Sequence, residues 1–238
     1  MDVVTLPGRT DYRAGWDLQR RTHASVRDGA TGVTYLLEHD SVYTAGRRTR
    51  RDEYPTDGTD VVDVDRGGKI TWHGPGQLVA YPIVALRSPV DVVRYVRTLE
   101  SAVMAVCTTL GLETVRVEGR SGVWFAADDG TPDGSDAETP RRERKVCAIG
   151  ARVARGVTMH GLALNCDADL TAFDAIVPCG IDDADVTSLS AEAGRPVTVD
   201  EIRPLLASAL VEHLSPLVTE LTATQQDIRP APAGTAVG

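Results

Sequence analysis

Residues 145–181 read KVCAIGARVARGVTMHGLALNCDADLTAFDAIVPCGI, and this stretch decides how the chain is expected to fold. Its first half holds two runs rich in β-branched and aliphatic residues, KVCAIGARV and VTMHGLALN, which favour β-strands. The three residues between them, Ala154 to Gly156, predict a hairpin loop in which Gly156 takes the left-handed conformation. The sequence therefore predicts an antiparallel hairpin in which Val153 pairs with Val157.

Side chains alternate along a strand, so the predicted register gathers every second residue of the first strand on one face. That face is apolar except at its start: Lys145, Cys147, Ile149, Ala151 and Val153. A lysine in this position either points into solvent or is partly desolvated, and both alternatives stay open. Cys179 lies in a Pro-Cys-Gly turn, where a thiol becomes a nucleophile if a nearby cation lowers its pKa. Lys145 is the cation predicted for that role.

The composition is typical of a globular protein with one domain. The 238 residues suffice for a full core, and 42% of them are hydrophobic and 25% charged. No apolar stretch approaches the roughly 20 residues of a membrane helix, and the N-terminus lacks the pattern of a signal peptide. We therefore expect a cytoplasmic protein without membrane contact. The net charge of -9 disfavours nonspecific binding to nucleic acid.

The four cysteines and five histidines are scattered without the spacings of a disulfide framework or a metal site, so we expect neither. Basic charge is concentrated in two clusters, GRRTRR at 46–51 and PRRERK at 140–145. Each cluster is either a solvated loop or a docking surface for an acidic protein. The docking charges would be Arg47, Arg48, Arg50, Arg51, Arg141 and Arg142.

Upstream of the hairpin, local signals predict two helices and several strands. Asp11 predicts the N-cap of a helix running to about Asp28, and Pro89 predicts the first position of a second helix that ends at Gly111. Strands are predicted at 33–37, 42–45, 114–118 and 122–126. Three more, at 61–65, 69–73 and 77–84, are predicted to form a meander.

The polar stretch 127–144 predicts a flexible insertion, and a short helical turn is predicted around 170–175. Thr198 and Glu201 form a capping box for a last helix. We expect a single domain over 1–215, followed by a disordered tail over 216–238. The strands and helices lack a regular βαβ alternation, which predicts an α+β fold with a mixed or antiparallel sheet packed by helices.

RGGKITWHGPGQLVAYP, residues 66–82, is unusually dense in glycine, yet it contains neither a dinucleotide-binding nor a phosphate-loop motif. It is either a pair of tight hairpins or a backbone wall that an extended ligand approaches closely. Gly150 and Gly161 would extend such a wall. His73 and His160 either pack in the core or donate hydrogen bonds near a carbonyl group.

Three stretches together, RGGKITWHGPGQLVAYPI, KVCAIGARVARGVTMHGLALN and DLTAFDAIVPCGI, resemble the lipoyl(octanoyl) transferase family from about Tyr12 to Leu214. The resemblance implies a fold shared with lipoate and biotin protein ligases. It also implies transfer of an octanoyl group from acyl carrier protein to a lysine of lipoyl domains, in 2-oxoacid dehydrogenase complexes and in the glycine cleavage H protein. The donor arm would carry the acyl group, and no cofactor is implied.

By the same resemblance, Cys179 carries the acyl thioester and Lys145 lowers the pKa of its thiol. The substrate site would be lined by three short segments: Arg66, Gly67, Gly68, Lys69, Ile70, Thr71, Trp72 and His73; Ala148, Ile149 and Gly150; and Gly161, Leu162 and Ala163. The chain departs from the family pattern at His39-Asp40, where proline usually follows histidine, and in the length of the insertion before Lys145.

Two other classes of function remain open. One is an ATP-dependent lipoate or biotin ligase on the same fold, although an adenylating ligase needs no thiol nucleophile. The other is an acyl-binding or carrier-binding module without catalytic activity. A papain-like hydrolase has little support, because no histidine is in a recognisable partnership with Cys179.

Overall fold

The structure, a computed structural model, describes residues 1–55, 59–128, 141–176 and 184–219. Its α-helices are α1 (Tyr12–Arg27), α2 (Val92–Thr109), α3 (Leu189–Ala193) and α4 (Val199–Leu214). Its strands are β1 (Asp2–Thr10), β2 (Val33–His39), β3 (Val42–Ala45), β4 (Val61–Asp63), β5 (Thr71–His73), β6 (Gln77–Ile83), β7 (Val115–Val117), β8 (Arg120–Phe125), β9 (Arg144–Ala154), β10 (Val157–Asn165) and β11 (Asp185–Val186). None of the helices in these ranges is long and apolar enough to span a membrane.

The strands form two sheets. The large sheet has the order β1-β2-β6-β10-β9-β8-β7, with β11 beside β9, and the small sheet has the order β4-β3-β5. The pairs β1–β2, β3–β4 and β9–β11 are parallel, and the other pairs are antiparallel. The predicted α+β class with a mixed sheet is confirmed.

The predicted meander of the strands at 61–65, 69–73 and 77–84 is wrong. β4 pairs with β3 in parallel, β5 pairs with β3 from the other side, and β6 lies in the large sheet between β2 and β10. Every residue of β6 is buried, which fits its nearly continuous apolar sequence and its central place in the large sheet. Turn signals alone could not show that the chain changes sheets at Gly74-Pro75-Gly76.

The β9–β10 hairpin exists, but its register differs by one residue from the prediction. Val157 pairs with Ala154, and the turn consists of Arg155 and Gly156 alone, with φ angles of 52° and 77°. A two-residue turn of this kind needs positive φ at both positions, and arginine gives no sign of that in the sequence. The shift places Cys147 opposite Leu164 and moves each residue of β10 to the other face relative to β9.

Helices cover both faces of the large sheet. α2 and α4 pack against each other and against the sheet over the main core, and α1 packs on β6 and β10. The predicted caps at Asp11 and Thr198 are confirmed by hydrogen bonds from Ala14 N (2.9 Å) and Glu201 N (3.3 Å). The predicted start of α2 at Pro89 is wrong, because the Asp91 carboxylate accepts from Arg94 N and caps the helix two residues later.

The predicted insertion is structured at its two ends. Asp128 and Arg141 exchange backbone hydrogen bonds of 3.0 and 2.9 Å, and β9 begins at Arg144 rather than at Lys145. The rest of that segment, 129–140, lies outside the described residues. Residues 216–219, predicted to begin the tail, contain part of a 3₁₀ turn and a bridge between Val218 and Leu86, and the tail from 220 onward lies outside the described residues.

Candidate active site

A cavity of about 210 Å³ is enclosed by the loop before β5, strands β9 and β10, and the first turn of α1. Twelve of the predicted site residues line it: Arg66, Gly68, Lys69, Thr71, His73, Lys145, Ala148, Ile149, Gly150, Gly161, Leu162 and Ala163. Seven lining residues were not predicted as such: Tyr12, Arg48, Tyr81, Gly119, Arg120, Ser121 and His160. Tyr12 is the first residue after the predicted Asp11 cap, and nothing in that helix signal shows that its ring borders a cavity.

Gly67, Ile70 and Trp72 do not line the cavity, contrary to the prediction. Side chains alternate along β5, so Thr71 and His73 face the cavity while Ile70 and Trp72 point into a separate small core. Trp72 packs edge-on against Phe173 there and donates a 2.8 Å hydrogen bond to Ser41. Ile70 and Trp72 therefore hold the loop on the side of the small core, away from the cavity.

Lys145 faces the cavity because of a β-bulge in β9. Val123 pairs with Cys147 and the next residue, Trp124, pairs with Lys145, so Val146 is an extra residue on β9. Val146 and Cys147 are consequently both buried in the main core, and Lys145 lies on the same side as Ala148. The predicted face that joined Lys145 to Cys147 and Ile149 is wrong, because it assumed unbroken alternation.

The Lys145 side chain is desolvated, which settles the alternative left open by the sequence. Only 7% of its surface is exposed, and Nζ lies 4.4 Å from the centroid of the Trp124 ring. Across the described ranges no carboxylate pairs with this ammonium group, so the ring face supplies the favourable contact for its charge.

Cys179 lies outside the described residues, in the gap 177–183, but residues a few positions before and after that gap lie beside Lys145. On one side, β11 runs beside β9 with Val186 paired to Lys145, and Thr187 N donates to Lys145 O at 2.9 Å. On the other side, Phe173 shares a small recess with Lys145, Thr71 and Val186 next to the cavity. The other three cysteines are buried, and burial raises the pKa of each thiol.

A chain of buried amides connects the cavity wall to β11. His73 Nδ1 donates to Gln77 Oε1 (2.8 Å), Gln77 Nε2 donates to Asn165 Oδ1 (2.9 Å), and Asn165 Nδ2 donates to Thr187 O (2.9 Å). Gln77 Nε2 also donates to a backbone carbonyl, which fixes the orientation of its amide and places the hydrogen of His73 on Nδ1. The chain holds the strand beside Lys145 in register with the cavity wall.

Arg66 is a buried anchor of the loop. Its guanidinium group donates to Thr44 O (2.7 Å), Thr44 Oγ1 (2.8 Å), Lys69 O (2.8 Å) and Gly67 O (3.0 Å). These bonds tie the loop at 66–69 to the small sheet. The loop at 66–69 forms the roof of the cavity, and Arg66 holds it in place by hydrogen bonds to carbonyl and hydroxyl groups.

Burial lowers the pKa of His39, His73 and His160, so all three imidazoles are neutral near pH 7. His160 Nε2 donates to Asp65 Oδ1 at 2.8 Å, which leaves Nδ1 as an acceptor, just as the bond to Gln77 leaves Nε2 of His73 as an acceptor. Of the two alternatives that the sequence left open, packing in the core fits the neutral rings, because each has its one N–H bonded within the protein. Within the described ranges no three His, Cys, Asp or Glu residues form a cluster that could hold a metal ion.

The bare backbone at Gly150 and Gly161 is taken up by contacts within the protein. A Cβ atom at Gly161 would lie 2.1 Å from Ala80 O, and one at Gly150 would lie 2.9 Å from Gly67 O. Gly161 allows β6 and β10 to approach, and Gly150 allows the loop to approach β9. The predicted glycine wall borders the cavity, but at these two positions the approaching backbone belongs to the protein itself.

Comparison with known proteins identifies relatives over nearly the whole described chain. Residues 11–211 match the family model of the lipoyl protein ligase A/B catalytic domain. An octanoyltransferase of Mycobacterium tuberculosis is 58% identical over 214 residues, covering 90% of this chain and 87% of that protein. An octanoyltransferase of Salinispora arenicola is 58% identical over 217 residues, covering 91% and 95% of the two chains.

A solved structure of similar fold is that of a bi-partite lipoate protein ligase of Thermoplasma acidophilum. It has a TM-score of 0.65 at 19% identity and covers 90% of this chain and 82% of that one. At this identity the similarity shows the fold alone, and it confirms the prediction that the chain shares its fold with lipoate ligases.

Proposed function

This chain belongs to the lipoyl protein ligase A/B catalytic-domain family, and from that premise we propose that it is an octanoyltransferase. It moves an octanoyl group from acyl carrier protein to a lysine of a lipoyl domain, through a thioester on Cys179. The observation that supports the proposal is the buried Lys145, which lines the cavity and lies beside Phe173 and Val186, residues close to the two ends of the segment that bears Cys179.

Chain connectivity supports the pairing of Lys145 with Cys179. Cys179 follows Ile176 by three positions, so chain geometry limits the distance between their Cα atoms to about 11 Å. Ile176 is buried in the small core with Phe173 and Val186, the two residues that border the recess beside Lys145. That short tether supports the proposed pairing of the Cys179 thiol with the Lys145 ammonium group.

In the first step, the Cys179 thiolate attacks the thioester carbonyl of the donor. The bond from that carbonyl to the donor sulfur breaks, and the proton that the Cys179 thiol gave up passes to the departing sulfur, so the carrier leaves as a thiol. The exchange of one thioester for another is nearly isoenergetic and needs no ATP. Lys145 as an ammonium group stabilises the thiolate, and its desolvation strengthens that interaction.

In the second step, the acceptor lysine attacks as a free amine. The bond between carbonyl carbon and Cys179 sulfur breaks, an amide forms, and the proton lost by the amine returns to the thiolate. Amide formation from a thioester makes this step downhill. Lys145 is placed to pass that proton between nitrogen and sulfur.

The cavity suits an acyl chain. Its floor on β9 and β10 is made of small residues, Ala148, Gly150, Gly161 and Ala163, with Ile149 and Leu162 adding apolar contact. At the rim, Arg48 and Arg120 bring positive charge to a protein of net charge -9. We propose that Arg47, Arg48, Arg50 and Arg51 guide acidic carrier proteins to this rim.

The test is to trap the acyl-enzyme. After incubation with octanoyl-acyl carrier protein, the intact mass of the wild-type chain should increase by one octanoyl group, and the label should pass to an added lipoyl domain. Cys179→Ala should lose both the mass increase and the transfer, and Cys107→Ala, which changes a buried core thiol, should keep them.

Full transfer activity in Cys179→Ala would contradict the thioester route. Incubation with ATP and free octanoate in place of the carrier tests the ligase alternative, since octanoylation of the lipoyl domain under those conditions alone would identify an adenylating enzyme.

A further inference from the structure

His160 has a left-handed backbone in the middle of a strand, with φ 59°. The other non-glycine residue with positive φ in the described ranges is Arg155, which lies in a hairpin turn where that conformation is expected. A non-glycine residue keeps such a conformation only where its surroundings impose it, and these residues cluster at functional sites. The strain at His160 therefore calls for a role in the cavity that it lines.

Three contacts fix His160 in place. Its backbone N–H donates to Gln19 Oε1 (2.8 Å), and its imidazole Nε2 donates to Asp65 Oδ1 (2.8 Å). The Trp16 ring packs at 6.3 Å between centroids, and only 1% of the His160 surface is exposed. Leu162 pairs with Ala80, so the same register would bring His160 opposite Pro82. Proline has no N–H group to donate, which explains why the β6–β10 hydrogen bonding is interrupted at His160.

The position of His160 along the cavity is set by strand pairing. The lining residues of β9 run from Lys145 to Gly150, and Gly150 pairs with Gly161. His160 pairs with Ala151, one position further from Lys145. The imidazole therefore stands at the end of the cavity opposite the reactive lysine.

The same end is closed from above by the loop that Arg66 anchors. Gly67 N donates to Ala151 O at 3.2 Å, and Gly67 O lies so close to Gly150 that a Cβ atom there would be 2.9 Å away. The roof of the cavity thus meets its floor at this point. Backbone hydrogen bonds, together with an imidazole that is bonded to Asp65 and packed against Trp16, form a wall with little freedom to yield.

We propose that His160 is the residue that limits the length of the acyl chain, by closing the cavity where the methyl end of the chain lies. This inference rests on the proposed function, because it takes the carbonyl end of the acyl group to be at Cys179 beside Lys145. A chain with additional methylenes must displace the imidazole and break its bond to Asp65. A hydrophobic pocket discriminates by on the order of 10-fold between acyl chains that differ by one methylene. A rigid end wall gives at least this discrimination against each added methylene.

His160→Gly provides the test, because glycine accepts the left-handed backbone and removes the wall without new strain. The full-length chain is mixed with equal amounts of hexanoyl-, octanoyl-, decanoyl- and dodecanoyl-acyl carrier protein, and the acyl-enzymes are counted by intact mass. The wild type should carry mostly octanoyl. In His160→Gly, the ratio of dodecanoyl to octanoyl should increase by on the order of 10-fold or more.

Arg155→Gly is the matched control, since it relieves the same backbone conformation outside the cavity and should keep the wild-type ratio. If the ratio of dodecanoyl to octanoyl in His160→Gly equals that of the wild type, the inference is overturned. If His160→Gly does not fold, His160→Asn replaces it, because asparagine tolerates the left-handed region and is shorter than histidine; an unchanged ratio there would overturn the inference equally.

Failure of the proposed function has a different signature, namely a wild-type chain that takes no acyl group from any carrier. The wall is then tested by calorimetry with free octanoate and dodecanoate. His160→Gly should gain affinity for dodecanoate relative to octanoate, and equal relative affinities in variant and wild type would overturn the inference without reference to Cys179.

Discussion

At the scale of single residues, the orientation of the Lys145 side chain depends on one extra residue in β9, Val146. The sequence alone left burial and solvent exposure of this side chain both open. The bulge at Val146 decides the matter, because it turns Lys145 away from the core face and onto the Trp124 ring. A bulge depends on how two strands pair, and neither strand shows it alone.

The contact with Trp124 leads to a prediction about the first half-reaction. Trp124→Leu removes the aromatic face from the Lys145 ammonium group, a contact worth about 0.5–2 kcal/mol. Octanoyl-enzyme formation should slow by a factor of about 2 to 30. Rapid mixing followed by intact mass measures the rate.

Trp124→Phe is the matched control for that change, since it retains a ring face at the same position and should stay close to the wild-type rate. Because Trp124 is almost fully buried, thermal unfolding of each variant must show that it is folded at the assay temperature. If Trp124→Leu is folded and forms the octanoyl-enzyme as fast as the wild type, the Trp124 ring has no role in the first half-reaction.

His73 and His160 show a second limit at the residue scale. The sequence presented both as candidate hydrogen-bond donors, but donor and acceptor roles depend on the neighbours of each ring nitrogen. Gln77 occupies one nitrogen of His73, and Asp65 occupies one nitrogen of His160. Asp65 lies 95 positions from His160 in the chain, and no local pattern relates them.

At the scale of elements, the parts predicted best are those with a local cause. The Asp11 and Thr198 caps are side-chain contacts over three residues, and the structure shows both. The hairpin failed by one residue because Arg155 adopts a conformation that glycine or asparagine normally signals. β1, α3 and β11 were not predicted, and β11 has only two residues and exists through its pairing with β9.

α3 and β11 are held beside Lys145 by a buried ion pair that should respond to pH. Arg144 donates to both carboxylate oxygens of Glu192, at 2.8 and 3.1 Å, and Thr187 Oγ1 adds a bond of 2.7 Å. Burial alone would raise the pKa of Glu192, but the bonds from Arg144 and Thr187 outweigh burial and hold that pKa below its usual value.

A carboxylate with a depressed folded-state pKa stabilises the fold above its unfolded pKa of about 4.3, and the contribution is lost as the pH falls through the folded value. Glu192→Gln should therefore lower the free energy of unfolding by about 1–3 kcal/mol at pH 7. The difference from the wild type should shrink steadily below pH of about 4. Urea unfolding over a series of pH values measures it.

Glu201→Gln serves as the comparison, because Glu201 forms an ion pair with Arg195 in which both side chains are substantially exposed. Exposed pairs contribute little, so its effect should be smaller at every pH. A gap between the wild type and Glu192→Gln that stays constant down to acid pH would show that the ion pair is not its source.

At the scale of the whole molecule, the class of fold followed from the order of the elements, but the division into two sheets did not. The cavity exists because the loop before β5, which belongs to the small sheet, lies against β9 and β10 of the large one. Arg66 ties the loop to Thr44 of the small sheet, 22 positions away in the chain, and Gly67 N donates to Ala151 O of β9, 84 positions away. The sequence could indicate which segments line the cavity. Only the tertiary structure shows that these segments lie next to each other.

The central claim is that the Lys145 ammonium group lies beside the Cys179 thiol and stabilises its thiolate. The most direct measurement is the pH dependence of alkylation of Cys179, read by peptide mass in the wild type and in Lys145→Met, which retains bulk and removes charge. Burial and the raised pKa of Cys107, Cys147 and Cys166 keep those thiols slow to react. The account predicts a midpoint well below about 8.5 in the wild type and a clear upward shift in Lys145→Met. The same midpoint in both proteins would contradict it.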